Sequence, residues 1–253
     1  MSDNVCSQKK LRVVAVVPAR LASTRLPEKM LADLAGRPVI VWTAESVFKS
    51  GAFDRIIVAT DHERIASAVR AAGFEAVLTD PKLPSGSARV AAVARTIEDV
   101  DVLVNIQGDE PLIDGEGLRR IVSVFSTDPS VEMATLSFPL DARDENNPNA
   151  VKLTVDARGD ALYFSRSVIP FPRLREGFAP LKHIGVYAYR RETLLRLIGL
   201  PACNLELIES LEQLRALYYG IRIRVLPAAV ESLGVDTAED LARVRDIIER
   251  SKG

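Results

Sequence analysis

Short runs rich in Val and Ile alternate with longer segments of helical period through the first half of the chain, and this alternation constrains the fold more than any other feature. A half-buried helix repeats its apolar positions every three to four residues, whereas a strand covered on both faces is apolar throughout; their alternation is the mark of a parallel sheet with helices on both sides. The pattern predicts strands near Arg12–Val17, Arg55–Ala59, Ala76–Thr79, Val102–Ile106 and Glu132–Ser137. Helices are predicted near Pro38–Lys49, Glu63–Ala72, Ser87–Ile97 and Glu116–Phe125, with Gly51 and Gly73 placed to end two of them in the left-handed conformation.

From about Pro139 the rhythm changes. Val151–Val155, a turn at Ala157-Arg-Gly-Asp160 and Ala161–Phe164 form an expected hairpin, followed by a Pro/Arg-rich segment and another alternating run, His183–Tyr189. Helices at Glu192–Ile198, Glu206–Tyr219 and Glu239–Arg250 surround a last strand at Ile221–Leu226. With no linker or repeat, residues 1–253 are expected to form a single domain, with 139–190 a β-rich subdomain within it.

At 253 residues, 47% of them apolar, the chain can bury roughly 70% of its unfolded surface without staples. Its 33 basic and 34 acidic residues nearly cancel, so no global field exists to hold nucleic acid or an anionic membrane, and any basic site must be local. Cys6 and Cys203 have no ligand-spaced neighbour, which argues against a disulfide framework or a zinc site. The apolar stretch Val13 to Ala19 is interrupted by Pro18 and closed by Arg20, too short for a membrane span, so the expected compartment is the cytoplasm.

In open parallel sheets ligands bind beyond the carboxyl ends of the strands. The loop Pro18-Ala-Arg-Leu-Ala-Ser-Thr-Arg-Leu-Pro-Glu-Lys29 places Arg20, Arg25 and Lys29 beside Ser23 and Thr24, a composition that fits a triphosphate cradle or, equally, a solvated basic loop; it is not a Walker A loop. Asn105-Ile-Gln-Gly-Asp-Glu-Pro111 sets Asp109 and Glu110 after a buried strand, where carboxylates suit a hard cation such as Mg²⁺ or simply meet solvent. Asp236, in Gly234-Val-Asp-Thr, is read in isolation as a helix cap, with metal ligation the alternative. Pro84-Ser-Gly-Ser-Ala-Arg89 fits a base or ribose contact or an ordinary N-cap. With only His62 and His183 present, a histidine-rich metal site is excluded; His62 is expected at the surface, and Phe164 and Tyr189 in the core. Gly115-x-Gly117 lacks the third glycine of a dinucleotide fingerprint, and no Gly-x-Ser-x-Gly elbow occurs.

Eight ordered segments, Pro-Ala-Arg-Leu-Ala-Ser-Thr-Arg-Leu-Pro, Ile-Val-Ala-Thr-Asp-His, Asn-Ile-Gln-Gly-Asp-Glu-Pro, Asn-Pro-Asn-Ala-Val-Lys, Ala-Leu-Tyr-Phe-Ser-Arg, His-Ile-Gly-Val-Tyr, Leu-Glu-Gln-Leu-Arg and Gly-Val-Asp-Thr, span Val13 to about Arg245. In this order and spacing the chain resembles the cytidylyltransferases that activate 3-deoxy-manno-octulosonate (Kdo) for lipopolysaccharide synthesis. The resemblance implies an α/β fold with a mostly parallel, Rossmann-like sheet of the nucleotide-diphospho-sugar transferase type, Mg²⁺ dependence, and a homodimer built through the β-rich middle. It also implies that Arg20, Ser23, Arg25 and Lys29 hold the CTP phosphates, Ser85, Gly86 and Arg89 the base and ribose, and Asp109 and Asp236 the metal. Gln107, Arg166, His183, Tyr187, Glu212 and Gln213 would surround the sugar acid, and catalysis would rest on Arg25, Lys29, Asp109 and Asp236.

Two departures accompany it. The family carries Pro-Gly-Lys-Pro where this chain has Pro27-Glu-Lys-Met30, so Glu28 is expected to face solvent rather than phosphate; and Ser85-Gly-Ser-Ala-Arg89 lacks the family's acid at Ala88. The competing readings are the same transfer to 8-amino-Kdo or a sialic acid, and a catalytically silent nucleotide-binding dimer.

Overall fold

The computed structural model describes residues 10–251, so Cys6 and the polar start lie outside the described residues. The central strand, β1 (Val13–Ala19), is buried along its whole length and explains the architecture. Val13, Ala15 and Val17 enter one core and Val14 and Val16 the other, because successive side chains of a strand point to opposite faces. Helices therefore cover both faces.

The chain continues through the short antiparallel pair β2 (Asp33–Leu34) and β3 (Arg37–Pro38), then α1 (Val39–Lys49), β4 (Arg55–Thr60), α2 (Glu63–Ala71), β5 (Glu75–Leu78), α3 (Gly86–Thr96), β6 (Val102–Asn105), α4 (Gly115–Thr127) and β7 (Met133–Pro139). The hairpin β8 (Lys152–Val155) and β9 (Ala161–Ser165) follows, then β10 (Leu181–Arg190), α5 (Arg191–Gly199), α6 (Asn204–Glu209), α7 (Gln213–Tyr218), β11 (Ile223–Pro227) and α8 (Ala238–Arg250). Along the main path the sheet order is β11-β7-β10-β6-β1-β4-β5. β6, β1, β4 and β5 are mutually parallel, as are β11 and β7, but β10 runs antiparallel between β6 and β7. The sheet is thus mixed, with the hairpin of β8 and β9 extending from β10.

Helices α1, α2 and α4 bury Val41, Ala44, Ile65, Val69, Leu118 and Ile121 against one face, while α3, α5 and α7 bury Val90, Ala94, Leu194 and Leu214 against the other. Phe164 and Tyr189 lie in the second core, as expected. Gly51 and Gly73 adopt φ values of 65° and 86°, the left-handed helix endings read from the sequence.

The single helix expected over Glu206–Tyr219 is two. Ser210, at φ 51°, takes the left-handed conformation and breaks it between α6 and α7, a turn that no Gly or Pro announces. Helix α8 packs Val244 and Ile248 with Val235 against Leu34 and Val39. This small third core brings the end of the chain back over the first loop.

Candidate active site

Three loops meet at the carboxyl end of β1. The first follows β1 directly and is tied down by Asp61, whose Oδ1 accepts the Leu21 N–H at 2.9 Å. It closes in a 3₁₀ turn at Lys29–Leu31. The second follows β6, where the Ile106 N–H continues the ladder to the Val16 carbonyl before the chain turns at Gly108. A Cβ on Gly108 would stand 2.9 Å from the Pro18 carbonyl oxygen, so only glycine lets these two loops touch. The third precedes α8, and its Val235 N–H donates to the Asp109 carbonyl at 2.8 Å.

That backbone bond places two distant aspartates side by side. Lys29 Nζ donates to Asp109 Oδ2 and, at 2.8 Å, to Asp236 Oδ1. Arg25 lies 3.0 Å from Asp236 Oδ2. Burial works to lower the pKa of Lys29, but the two carboxylates outweigh it and hold the ammonium above its usual range. Asp236 is not the helix cap: Thr237 is, in a capping box with Asp240, which leaves the Asp236 side chain free to turn toward the loops. The oxygens Asp109 Oδ2 and Asp236 Oδ1 already share one cation position, so the donors fit a divalent ion. Among the described residues no three His, Cys, Asp or Glu side chains form a metal-binding group. An ion here would complete its shell with water and substrate oxygens, the coordination that suits Mg²⁺.

The cleft above this pair is lined by Arg20, Ser23, Arg25 and Lys29 from the first loop, Ser85, Gly86 and Arg89 from the start of α3, and Gln107, Asp109 and Asp236. Every residue expected at nucleotide or metal therefore borders a single cleft. Ser85 is the N-cap of α3, so the capping reading of that loop holds, and the same residue borders the cleft. Gly86 packs close to Pro18, where a Cβ would come within 3.3 Å. His62 likewise caps α2 through its ring nitrogen.

Glu28 occupies the left-handed region at φ 51°, the conformation a glycine adopts freely. Its carboxylate turns away from the cleft to Arg64 on α2, with one contact of 2.7 Å. Hydrogen bonding from Arg64 holds that carboxyl below the usual range. The expected outward orientation is present, but the partner is a guanidinium rather than solvent alone, a pairing across 36 positions that no local motif signals.

The expected sugar residues fall into four groups. Gln107 borders the cleft. Glu212, just before α7, accepts from Ser85 Oγ at 2.8 Å and Ser87 Oγ at 2.7 Å, linking that helix to the nucleotide side; Gln213 beside it is buried. His183 and Tyr187 lie on β10 with ring centroids 5.2 Å apart. The Thr135 hydroxyl lies 2.8 Å from the Val186 carbonyl and 3.0 Å from His183 Nε2, which ties the imidazole to β7. Burial pushes the His183 pKa down to about 3 and raises that of Tyr187, whose hydroxyl has no partner. Arg166 gives its guanidinium to the carbonyls of Glu209, Pro148 and Ser210 at 2.7, 2.9 and 3.2 Å.

Sequence reasoning missed Lys152, fully buried in the sheet, whose ammonium donates to the carbonyls of Asn147 and Arg166. It also missed the character of Glu110. Burial, with the neighbouring Asp109 charge, pushes that carboxyl up to about 7, and its Oε2 has no hydrogen-bond partner. Glu110 therefore does not join Asp109 on Lys29.

A family model described as cytidylyltransferase matches residues 14–223. The chain is 47% identical over 243 residues to the 3-deoxy-manno-octulosonate cytidylyltransferase of Bdellovibrio bacteriovorus, covering 94% of this chain and 98% of that protein. The chain belongs to the 3-deoxy-manno-octulosonate cytidylyltransferase family. The corresponding cytidylyltransferase of Yersinia enterocolitica is 47% identical over 246 residues, covering 93% of this chain and 98% of that protein. A CMP:2-keto-3-deoxy-manno-octonic acid synthetase solved in complex with CTP superimposes with a TM-score of 0.91 at 40% identity, over 95% of this chain and 99% of that one. The 4-diphosphocytidyl-2C-methyl-D-erythritol synthase of Anaerococcus prevotii, at 10% identity and a TM-score of 0.65, shares the fold.

Proposed function

We propose that the protein transfers CMP from CTP to the anomeric hydroxyl of Kdo, releasing pyrophosphate and forming CMP-Kdo for lipopolysaccharide synthesis. The observation that carries the reading is the meeting of Asp109 and Asp236, from loops far apart in the chain, at one cation position inside a cleft bordered by Arg20, Arg25 and Lys29. The family membership and the CTP complex of the structural relative support the same assignment.

The transfer forms a bond from the sugar oxygen to the α-phosphorus and breaks the bond to the β-phosphate, while the hydroxyl proton leaves to solvent. Such reactions depend on alignment and charge neutralisation more than on covalent help from the protein. Arg20, Ser23, Arg25 and Lys29 bind the triphosphate, and the guanidinium of Arg25 with the ammonium of Lys29 stabilises charge on the departing pyrophosphate. Ser85, Gly86 and Arg89 receive the base and ribose; the small Gly86 lets the nucleotide approach the backbone. Gln107, His183, Tyr187, Glu212 and Gln213 orient the sugar, with His183 offering an acceptor nitrogen. Arg166, bound to three carbonyls, fixes the Glu209–Ser210 turn, and its unit positive charge, which carbonyls do not neutralise, attracts the sugar carboxylate. Asp109 and Asp236 would hold Mg²⁺, which supplies charge neutralisation at the α-phosphate and lowers the pKa of the attacking hydroxyl.

We further infer a cytoplasmic homodimer. No helix among the described residues is long and apolar enough to cross a membrane. Phe171 and Leu174, in the 139–190 subdomain, and Leu207 and Ile208 on α6 expose large apolar side chains, and Ser165 and Arg166 tie α6 to that subdomain. The partner we infer for this face is a second copy of the chain, with no role for nucleic acid or membrane insertion.

Asp109→Asn is expected to abolish pyrophosphate release with CTP and Kdo while leaving the circular dichroism spectrum unchanged; turnover near that of the wild type rejects the metal assignment. Turnover across CTP, UTP and ATP against Kdo, 8-amino-Kdo and N-acetylneuraminate tests substrate choice, and the reading requires CTP with Kdo to dominate.

A further inference from the structure

We propose that Lys29 is a resident counter-cation: in the metal-free protein its ammonium fills the position between Asp109 and Asp236, and a divalent ion gains that position only as bound triphosphate draws the ammonium away. The proposal rests on the metal reading given above and goes beyond it, because it assigns Lys29 two alternating partners and makes metal and nucleotide binding mutually dependent.

The geometry is that of a plug rather than a surface ion pair. The Lys29 side chain is 9% exposed, against 24% for Asp109 and 45% for Asp236, so the lysine is the most enclosed of the three. Its backbone is fixed. The Lys29 N–H donates to the Leu26 carbonyl at 3.1 Å, the Lys29 carbonyl accepts from Ala32 N–H at 3.1 Å, and the preceding Glu28 is clamped to Arg64. Only the side-chain torsions of Lys29 are free to change.

An ammonium has three donors and no acceptor, so it satisfies carboxylates but never ligates a metal. A Mg²⁺ ion needs its oxygens at about 2.0–2.1 Å, in the same region of Asp109 Oδ2 and Asp236 Oδ1 where the N–H bonds now point. Two cations within a few ångströms also repel strongly in a partly buried site. Occupancy by one therefore excludes the other. Ser23 and Arg25 border the same cleft within a few residues of Lys29, so phosphate oxygens bound there offer the displaced ammonium new acceptors. Arg25 remains on Asp236 Oδ2, which keeps that carboxylate oriented during the exchange.

A ligand whose site is open in only a fraction of molecules binds weaker by that fraction. Without nucleotide, the wild type is expected to bind Mn²⁺ alone poorly by electron spin resonance. Lys29→Met, which keeps the length but removes the ammonium, is expected to bind Mn²⁺ about tenfold or more tightly, and Lys29→Arg to match the wild type. Adding Asp109→Asn to Lys29→Met is expected to abolish the gain.

If Lys29→Met binds free Mn²⁺ no better than the wild type, the counter-cation role is overturned. If it binds more tightly but the gain survives Asp109→Asn, the metal assignment itself fails, and the proposal with it. Wild-type crystals soaked in Mn²⁺ without nucleotide supply the arm that needs no variant. An anomalous peak between the two aspartates without nucleotide refutes the exchange; a vacant position that fills with Mn²⁺ once CTP is added, with Nζ swung away, supports it.

Discussion

His183 illustrates how far a side chain's neighbourhood resets its chemistry. Its pKa lies at about 3 because burial disfavours the charged ring, against 6.5 when unfolded. Below pH 6.5 the unfolded chain takes up a proton that the folded chain refuses until about pH 3, so acid draws the equilibrium toward unfolding across that window. The slope approaches about 1.4 kcal/mol per pH unit where the difference is one full proton. Denaturant titrations between pH 4 and pH 7 are expected to show His183→Gln losing less stability than the wild type as pH falls; parallel curves exclude His183 as the source. The same residue scale shows where reading a sequence stops. That Arg25, Lys29 and Asp109 belong to loops at the carboxyl ends of strands follows from the sequence pattern, but the ammonium bridge does not, because it depends on a backbone contact between Val235 and Asp109. Glu28 is similar: its identity is visible, whereas its left-handed backbone and its Arg64 partner are consequences of tertiary packing.

Among elements, the parallel strands and their covering helices were legible because burial on two faces and on one face leave different periods in the chain. β1 with its seven buried residues and α4 with its apolar stripe are the clearest cases. Strand direction leaves no such trace. The alternation in His183–Tyr189 signals a strand but not that β10 inserts antiparallel between β6 and β7, nor that its register slips between Ile184 and Tyr187. The break between α6 and α7 was hidden for another reason: Ser210 adopts a conformation that composition gives no cause to expect, and its carbonyl then serves Arg166. At α8 the capping box decides the role of the residue before it. Thr237→Ala removes an acceptor for the Asp240 N–H and is expected to cost about 1 kcal/mol. In a chain of this size that lowers the melting temperature by roughly 2–4 °C, measurable by calorimetry, with an unchanged melting temperature showing the cap to be dispensable.

For the molecule as a whole, the exposed apolar side chains are unevenly placed. Phe171 and Ile208 are 83% and 80% exposed, and both belong to the part of the chain that follows the β8–β9 hairpin. A concentration of apolar surface marks a contact site more often than scattered exposure does. Sedimentation equilibrium at micromolar concentration is expected to return twice the chain mass, and Phe171→Glu combined with Ile208→Glu to return one chain mass. A monomeric wild type removes the dimer from the reading. A wider groove at the amino ends of the strands, bordered by Phe53 and Phe125, has no comparable claim to function: its Asp54 carboxylate is committed to the Val13 N–H and Lys10.

The return of α8 over the first loop separates formation of the sheet from assembly of the cleft. A variant cut after β11 keeps every strand of the sheet but loses the Val235 N–H bond to the Asp109 carbonyl and the Asp236 carboxylate, so Lys29 is left with one of its two acceptors.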